Sequence, residues 1–246
     1  MTDNIDFTKT RNKIKHEIAL GYRIFAKLGW GDLGDGHISG RDPERTDCFW
    51  LLDGNTAFIN ASPERLVLID SFGKVVDGQG VPNLPAYYIH WPILNARPEL
   101  TSVAHTHTPS GTPFSAEART FDLITQEACY FVDDHAVFDD EEVQVLSTDC
   151  GKRIAKSLGR NKGLILRNHG LLTVGESVRQ SVSLFVLMER VAEAHLLTNG
   201  RAQPISHNAA HFAKQDLDTP EQSTHSFANL VAHHLGEDYW GSKFPQ

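Results

Sequence analysis

Two kinds of apolar pattern alternate along this chain without repeating, and that alternation narrows the fold more than any other feature. Between Thr8 and Trp30 the side chains Ile14, Ile18, Tyr22, Phe25 and Leu28 recur at spacings of three and four. Such a stripe predicts an amphipathic helix, ended near Gly29. From Gly31 to Asp77 the pattern changes to short runs at 48–52, 56–59 and 66–69, broken by Asp-Gly and Ser-Pro pairs. These predict strands joined by tight turns. A helix is expected again over 85–96, with Pro85 in its first turn and Pro92 shortening or bending it, then a strand over 100–108. Beyond lie an expected helix at 120–128, a strand near 129–132, an acidic loop from Asp133 to Glu142 and a short helix at 150–158. Two strands should meet at Gly170, and Ser177 should cap a long helix running to Asn199. Residues from about 201 read as a less regular tail. With no repeat and no low-complexity linker, the 246 residues are expected to form one α/β domain.

Composition removes several function classes. Hydrophobic residues make up 40% and charged residues 22%, the range of folded globular chains. A net charge of -8 without a long Lys/Arg cluster would repel a phosphate backbone, so no nucleic-acid partner is expected. No run approaches the ~20 apolar residues of a membrane span, and the N-terminus has no apolar signal core. Cys48, Cys129 and Cys150 are odd in number and lack CxxC spacing, which reads as free thiols in a reducing compartment. A cytoplasmic location is the expectation. Of thirteen histidines, His207, His211, His225, His233 and His234 read as solvated surface.

The chemistry concentrates in AHTHTP. Successive strand side chains alternate faces, so His105 and His107 share a side and can share a metal. The same pair could also be two strand histidines bonded to backbone. A catalytic metal site commonly uses three protein ligands, and His169, in RNHG at a predicted strand end, is the best-placed third candidate.

The stretch ARPELTSVAHTHTPSGTPFSA, followed about sixty residues later by LILRNHGLLTVG, closely resembles the class II aldolase/adducin family. The resemblance covers most of the chain. It implies a single α/β domain with a mostly antiparallel central sheet flanked by helices. It also implies a homotetramer with active sites at subunit boundaries, acting on a small molecule. His105, His107 and His169 would hold one divalent transition metal per chain, zinc as first choice with iron or manganese as alternatives.

Other family positions depart from the sugar-phosphate aldolases. The glutamate that handles the proton beside their metal corresponds to Ala86, and the two serines of their phosphate cradle to Leu84 and Pro85. Their GNxS asparagine appears as His37, their TPxG threonine as Asp53, and a tyrosine borrowed from a neighbouring subunit as Gln126. A methyl group accepts no proton, and a carboxylate repels a phosphate. A sugar phosphate is therefore not the expected substrate.

The remaining candidates follow. His37, Tyr88 and His90 are the catalytic candidates, with a surface turn histidine as the alternative for His37 and helix packing for the other two. His37, Asp53 and Arg167 are the candidates for binding substrate, with a structural ion pair as the alternative for Arg167. His135 stands out within the acidic loop, and His195 reads as a satisfied core histidine. Three functions follow in order: a metal-dependent lyase (decarboxylase or retro-aldol type) acting on an unphosphorylated carboxylate- or keto-bearing molecule; a non-haem iron oxygenase on an aromatic or keto acid; and a non-catalytic adducin-like protein.

Overall fold

The computed structural model describes residues 6–239. One sheet of eight strands runs through it: β1 (Gly36–Arg41), β2 (Phe49–Leu52), β3 (Leu66–Ile69), β4 (Val75–Asp77), β5 (Ser102–Thr106), β6 (His135–Phe138), β7 (Gly163–Leu166) and β8 (Gly170–Gly175). Their spatial order is β4-β3-β2-β1-β5-β8-β7-β6, antiparallel throughout except for the β6–β7 edge pair. Helices cover both faces: α1 (Phe7–Lys27), α2 (Leu84–Ala96), α3 (Gly111–Ser115), α4 (Thr148–Leu158), α5 (Val178–Thr198), α6 (His207–Leu217) and α7 (Pro220–Leu235).

Strand alternation divides the apolar side chains between two cores. On one face α1, α5 and α7 bury Ile18, Phe25, Phe185 and Phe227 against Ile38, Ala104 and Leu171. On the other, α2 and α4 bury Ile89, Ile93, Ile154 and Leu158 against Phe49, Val103 and Leu172. Since Ile38 and Ala104 belong to the first core, their neighbours His37 and His105 point toward α2.

Helix α2 continues through Pro92. Proline removes the donor that would have met the Tyr88 carbonyl, yet the helix is not cut there. Gly151 of α4 packs directly on that carbonyl, where any Cβ would collide with it. Tight α2–α4 packing therefore holds the turn.

Five local expectations are corrected, the first being the strand at 56–59, where the chain forms a 3₁₀ turn over Phe58–Asn60. The helix expected over 120–128 is an irregular segment, followed by a 3₁₀ turn over Glu127–Phe131 in place of a strand, and the acidic loop contains β6. Here pairing with β7 outweighs local polarity. The stretch from about 201 holds α6 and α7, capped by the Ser206 and Thr219 side chains. Phe227 and Val231, one helical turn apart, seal the α1–α5 core. Finally, the N-terminal segment read for a signal core includes residues 1–5, which lie outside the described residues.

Candidate metal centre

Strand β5 delivers His105 and, one residue past its end, His107. His169 enters from the short connection between β7 and β8, where Asn168 adopts a left-handed backbone with φ +57°. Asparagine tolerates that conformation better than most side chains. The His169 N–H donates to the Leu166 carbonyl at 2.9 Å, closing the turn. Pairing of β5 with β8, Thr106 opposite Leu171, carries this turn over the end of β5. Ring centroids are 4.8 Å apart for His105–His169, 5.0 Å for His107–His169 and 5.4 Å for His105–His107. One ring nitrogen from each lies within 4.8 Å of the others.

The tautomer of His105 follows from its partner. The Leu171 carbonyl can only accept, so Nδ1, 2.7 Å away, donates, and the Nε2 lone pair is left free. His107 Nδ1 lies 3.4 Å from the Asp35 carboxylate, in the loop before β1. Burial, reinforced by neighbouring imidazoles, holds His105 well below the usual histidine range and pushes His169 down to about 4. Both are therefore neutral, the form that ligates metal.

A second group of side chains adjoins these three. In the β1–β5 register His37 stands opposite His105, with ring centroids 5.0 Å apart. Gly36 permits the approach, because a Cβ there would strike Thr106. His37 Nδ1 is 2.7 Å from His90 Nε2, and His90 Nδ1 is 2.7 Å from Ser39 Oγ. His37, His90 and Ser39 are all buried. Burial first, then nearby imidazoles, keeps His37 and His90 well below the usual range as well.

The segment after His107 is clamped from α5. The buried Glu189 carboxylate accepts from Thr108 Oγ1 at 2.5 Å, Ser110 N–H at 2.8 Å and Gly111 N–H at 2.7 Å. Sequence reasoning passed over Glu189, Ser39 and Asp35. The available signal for Glu189 was a carboxylate on the apolar stripe of α5, beside Met188 and Ala192.

A cavity of about 440 Å³ opens onto His37, His105, His107 and His169, within the range of small-molecule sites. Its lining also includes Pro85, Ile89, Val143 and Val145, and no lysine or arginine lines it among the described residues. Ala86 is fully buried. A larger depression of about 710 Å³ between α5 and α7 contains none of these groups.

The structure thus brings His37, His90, His105, His107 and His169 together. It places three other candidates elsewhere. Tyr88 lies beside Tyr87 with the rings tilted, in the α2–α4 packing, and does not line the cavity. Asp53 accepts from Thr56 Oγ1 and Val81 N–H, which makes it a turn anchor. Arg167 pairs with Asp139 at 2.8 Å, outside the cavity lining. His135 is satisfied by Phe121 N–H and Phe131 O, and His195 by Asp122 N–H and Val191 O.

Comparison with known proteins agrees with this architecture. The class II aldolase and adducin N-terminal domain matches residues 16–196. A 4-hydroxy-3-prenylphenylpyruvate oxygenase/4-hydroxy-3-prenylbenzoate synthase of Streptomyces roseochromogenus subsp. oscitans is 40% identical over 209 residues, 83% of this chain and 75% of that protein. Decarboxylase NovR of Streptomyces niveus is also 40% identical, over 78% of this chain and 71% of its own. Among solved structures, the L-fuculose 1-phosphate aldolase from Glaciozyma antarctica PI12 superposes with a TM-score of 0.83 at 31% identity, covering 94% of this chain and 92% of its own. The chain belongs to the class II aldolase and adducin family.

Proposed function

We propose that this protein is a metal-dependent lyase that cleaves a carbon–carbon bond beside a carbonyl in an unphosphorylated keto or carboxylic acid with an apolar, aromatic body. The observation that carries the reading is a cavity lined by convergent imidazoles and by the aliphatic Pro85, Ile89, Val143 and Val145, with no cation suited to a phosphate among its described lining residues. The resemblance to a decarboxylase and to a protein named for an arylpyruvate supports the substrate class.

The donor set fits a divalent transition metal, since three imidazoles converge and His105 already has Nδ1 committed to Leu171. His105, His107 and His169 would hold the ion, which when bound supplies Lewis acidity toward a carbonyl oxygen. The chain's own groups handle the proton. When the carbon–carbon bond breaks, an electron pair is left on the carbon beside the carbonyl, and a proton must reach it. His37 faces the cavity with Nε2, because Nδ1 is engaged by His90. If Ser39 Oγ–H donates to His90 Nδ1, His90 Nε2–H donates to His37 Nδ1, and His37 Nε2 carries a proton to give. His37 Nε2 passes this proton on as it takes another from cavity water, so the neutral Ser39–His90–His37 chain is restored and no imidazolium need form in the buried site. This relay takes the place of the aldolase carboxylate that Ala86 lacks.

A second reading, a non-haem iron oxygenase acting on an aromatic keto acid, draws on the name of the Streptomyces roseochromogenus relative. Purified protein loaded in turn with zinc, manganese or iron, and given an aryl 3-keto acid, an aryl 4-hydroxy-2-keto acid, an aryl 2-keto acid (for the oxygenase reading) or fuculose 1-phosphate, separates the possibilities. Cleavage of the keto acid without oxygen uptake is expected. Iron-dependent oxygen uptake selects the oxygenase, fuculose phosphate cleavage overturns the substrate class, and metal binding without turnover of any compound favours a non-catalytic, adducin-like role.

A further inference from the structure

We propose that Asp133, His207 and His211 form a second divalent-metal site, separate from the histidines of the cavity, that ties α6 to the body of the protein. His207 and His211 are four residues apart on α6 and therefore share one helix face. Their rings lie 4.6 Å apart, and both Nε2 atoms point at one carboxylate: His207 is 3.1 Å from Asp133 Oδ1 and His211 is 2.9 Å from Asp133 Oδ2. All three ligating atoms fall within 4.8 Å of one another. Donors about 2.0–2.2 Å from one metal in neighbouring coordination positions lie about 3 Å apart, so little movement separates this arrangement from a chelate. Two imidazoles and one carboxylate suit zinc, nickel or copper, and the exposed setting leaves the other coordination positions to water.

The backbone and the local charges favour the same arrangement. Asp133 holds a left-handed conformation, φ +50°, which turns its carboxylate toward α6. The nearby ammonium groups are already engaged, Lys214 with Asp134 at 2.7 Å and Lys162 with Asp218 at 2.6 Å. The Asp133 carboxylate is left facing the two imidazoles. The apolar anchorage of α6 is small: Ala210, with Ala213 and Leu217 beside it, packs on Cys129 and Val132. An ion bridging α6 to the turn after Cys129–Val132 would add what this packing lacks.

The test uses the full chain with zinc as the probe. In a His105→Ala/His169→Ala background, equilibrium dialysis should find one zinc per chain, lost when His207→Ala or His211→Ala is added. Asp133→Ala should weaken that binding about tenfold, and His233→Ala/His234→Ala should leave it unchanged. In the otherwise native chain, His207→Ala/His211→Ala should lower the zinc stoichiometry by one, which keeps the test independent of how well the cavity variants fold. Zinc should also slow hydrogen exchange over residues 207–217 in the cavity-deficient background. Unchanged stoichiometry in the His207→Ala/His211→Ala chain overturns the site and reduces the cluster to histidine–aspartate ion pairs. Indifference to Asp133→Ala overturns the three-ligand assignment, and unchanged exchange over α6 overturns its tethering role.

Discussion

Among the described residues, two clusters of convergent imidazoles are built on opposite plans. In the cavity, His105 is 1% exposed and is backed by the Leu171 carbonyl, while a buried glutamate pins the loop that follows His107. At α6, two exposed histidines meet an exposed carboxylate and rest on a small apolar patch. The first plan spends fold stability to hold neutral imidazoles in fixed places. The second leaves its ligands in water, so it costs the fold little and fixes little until an ion arrives. Chemistry that needs a dry, pre-set site belongs with the first, and reversible cross-linking with the second.

The contrast is broken most directly at the cavity. His105→Ala, His107→Ala and His169→Ala should each weaken metal binding there by at least about 100-fold while the circular dichroism spectrum stays native. Full metal content in all three, measured by elemental analysis, would remove the buried site from the comparison. His90→Phe should lower turnover about 100-fold with metal content unchanged, because it cuts the relay and leaves the ligands in place. A drop in metal content equal to the drop in rate would instead assign His90 to the metal.

Glu189→Ala should cost about 2–3 kcal/mol in urea unfolding, since it strands Thr108, Ser110 and Gly111 without their acceptor. Asp133→Asn, by contrast, should leave the urea midpoint of metal-free protein nearly unchanged, since asparagine tolerates the left-handed backbone at φ +50°. An acid titration sharpens the same point. The imidazoles of His37, His90, His105 and His169 are lowered in the folded state, so the unfolded chain takes up protons first as pH falls. Their contribution to metal-free stability is therefore present above about pH 6.5 and lost progressively below it. Urea midpoints that stay flat from neutrality down to about pH 5 would contradict this burial. The mildest test is light scattering, where a stable homotetramer is expected and an active monomer would show that the cavity needs no neighbouring subunit.

What could be read from residues alone depended on whether the relevant geometry was local. His105 and His107 were legible because strand side chains repeat every two residues, and His169 because RNHG sits at a strand end. The long helices were legible from spacing and caps, as at Ser177 and Asn199. The link from His37 through His90 to Ser39 was only half visible, because it depends on how α2 seats on β1, which no local pattern encodes. Arg167 and Asp53 read as substrate contacts because their partners, Asp139 for the one and Val81 with Thr56 for the other, become neighbours through the folded chain's turns. The α6 histidines read as plain surface for the same reason, since Asp133 lies more than seventy residues earlier in the chain.

The pairing of β5 with β8 also sets an order of events during synthesis. His105 and His107 leave the ribosome about sixty residues ahead of His169, a lag of roughly 3–12 s at about 5–20 residues per second. Through that interval the nascent chain offers an incomplete chelate, and the strand carrying it has no β8 beside it. The third ligand arrives only when the β7–β8 turn swings over the end of β5. A cation bound at the cavity as proposed would therefore meet its third ligand only after β8 has paired with β5, and would be drawn from whatever pool of chelatable ions then surrounds the chain.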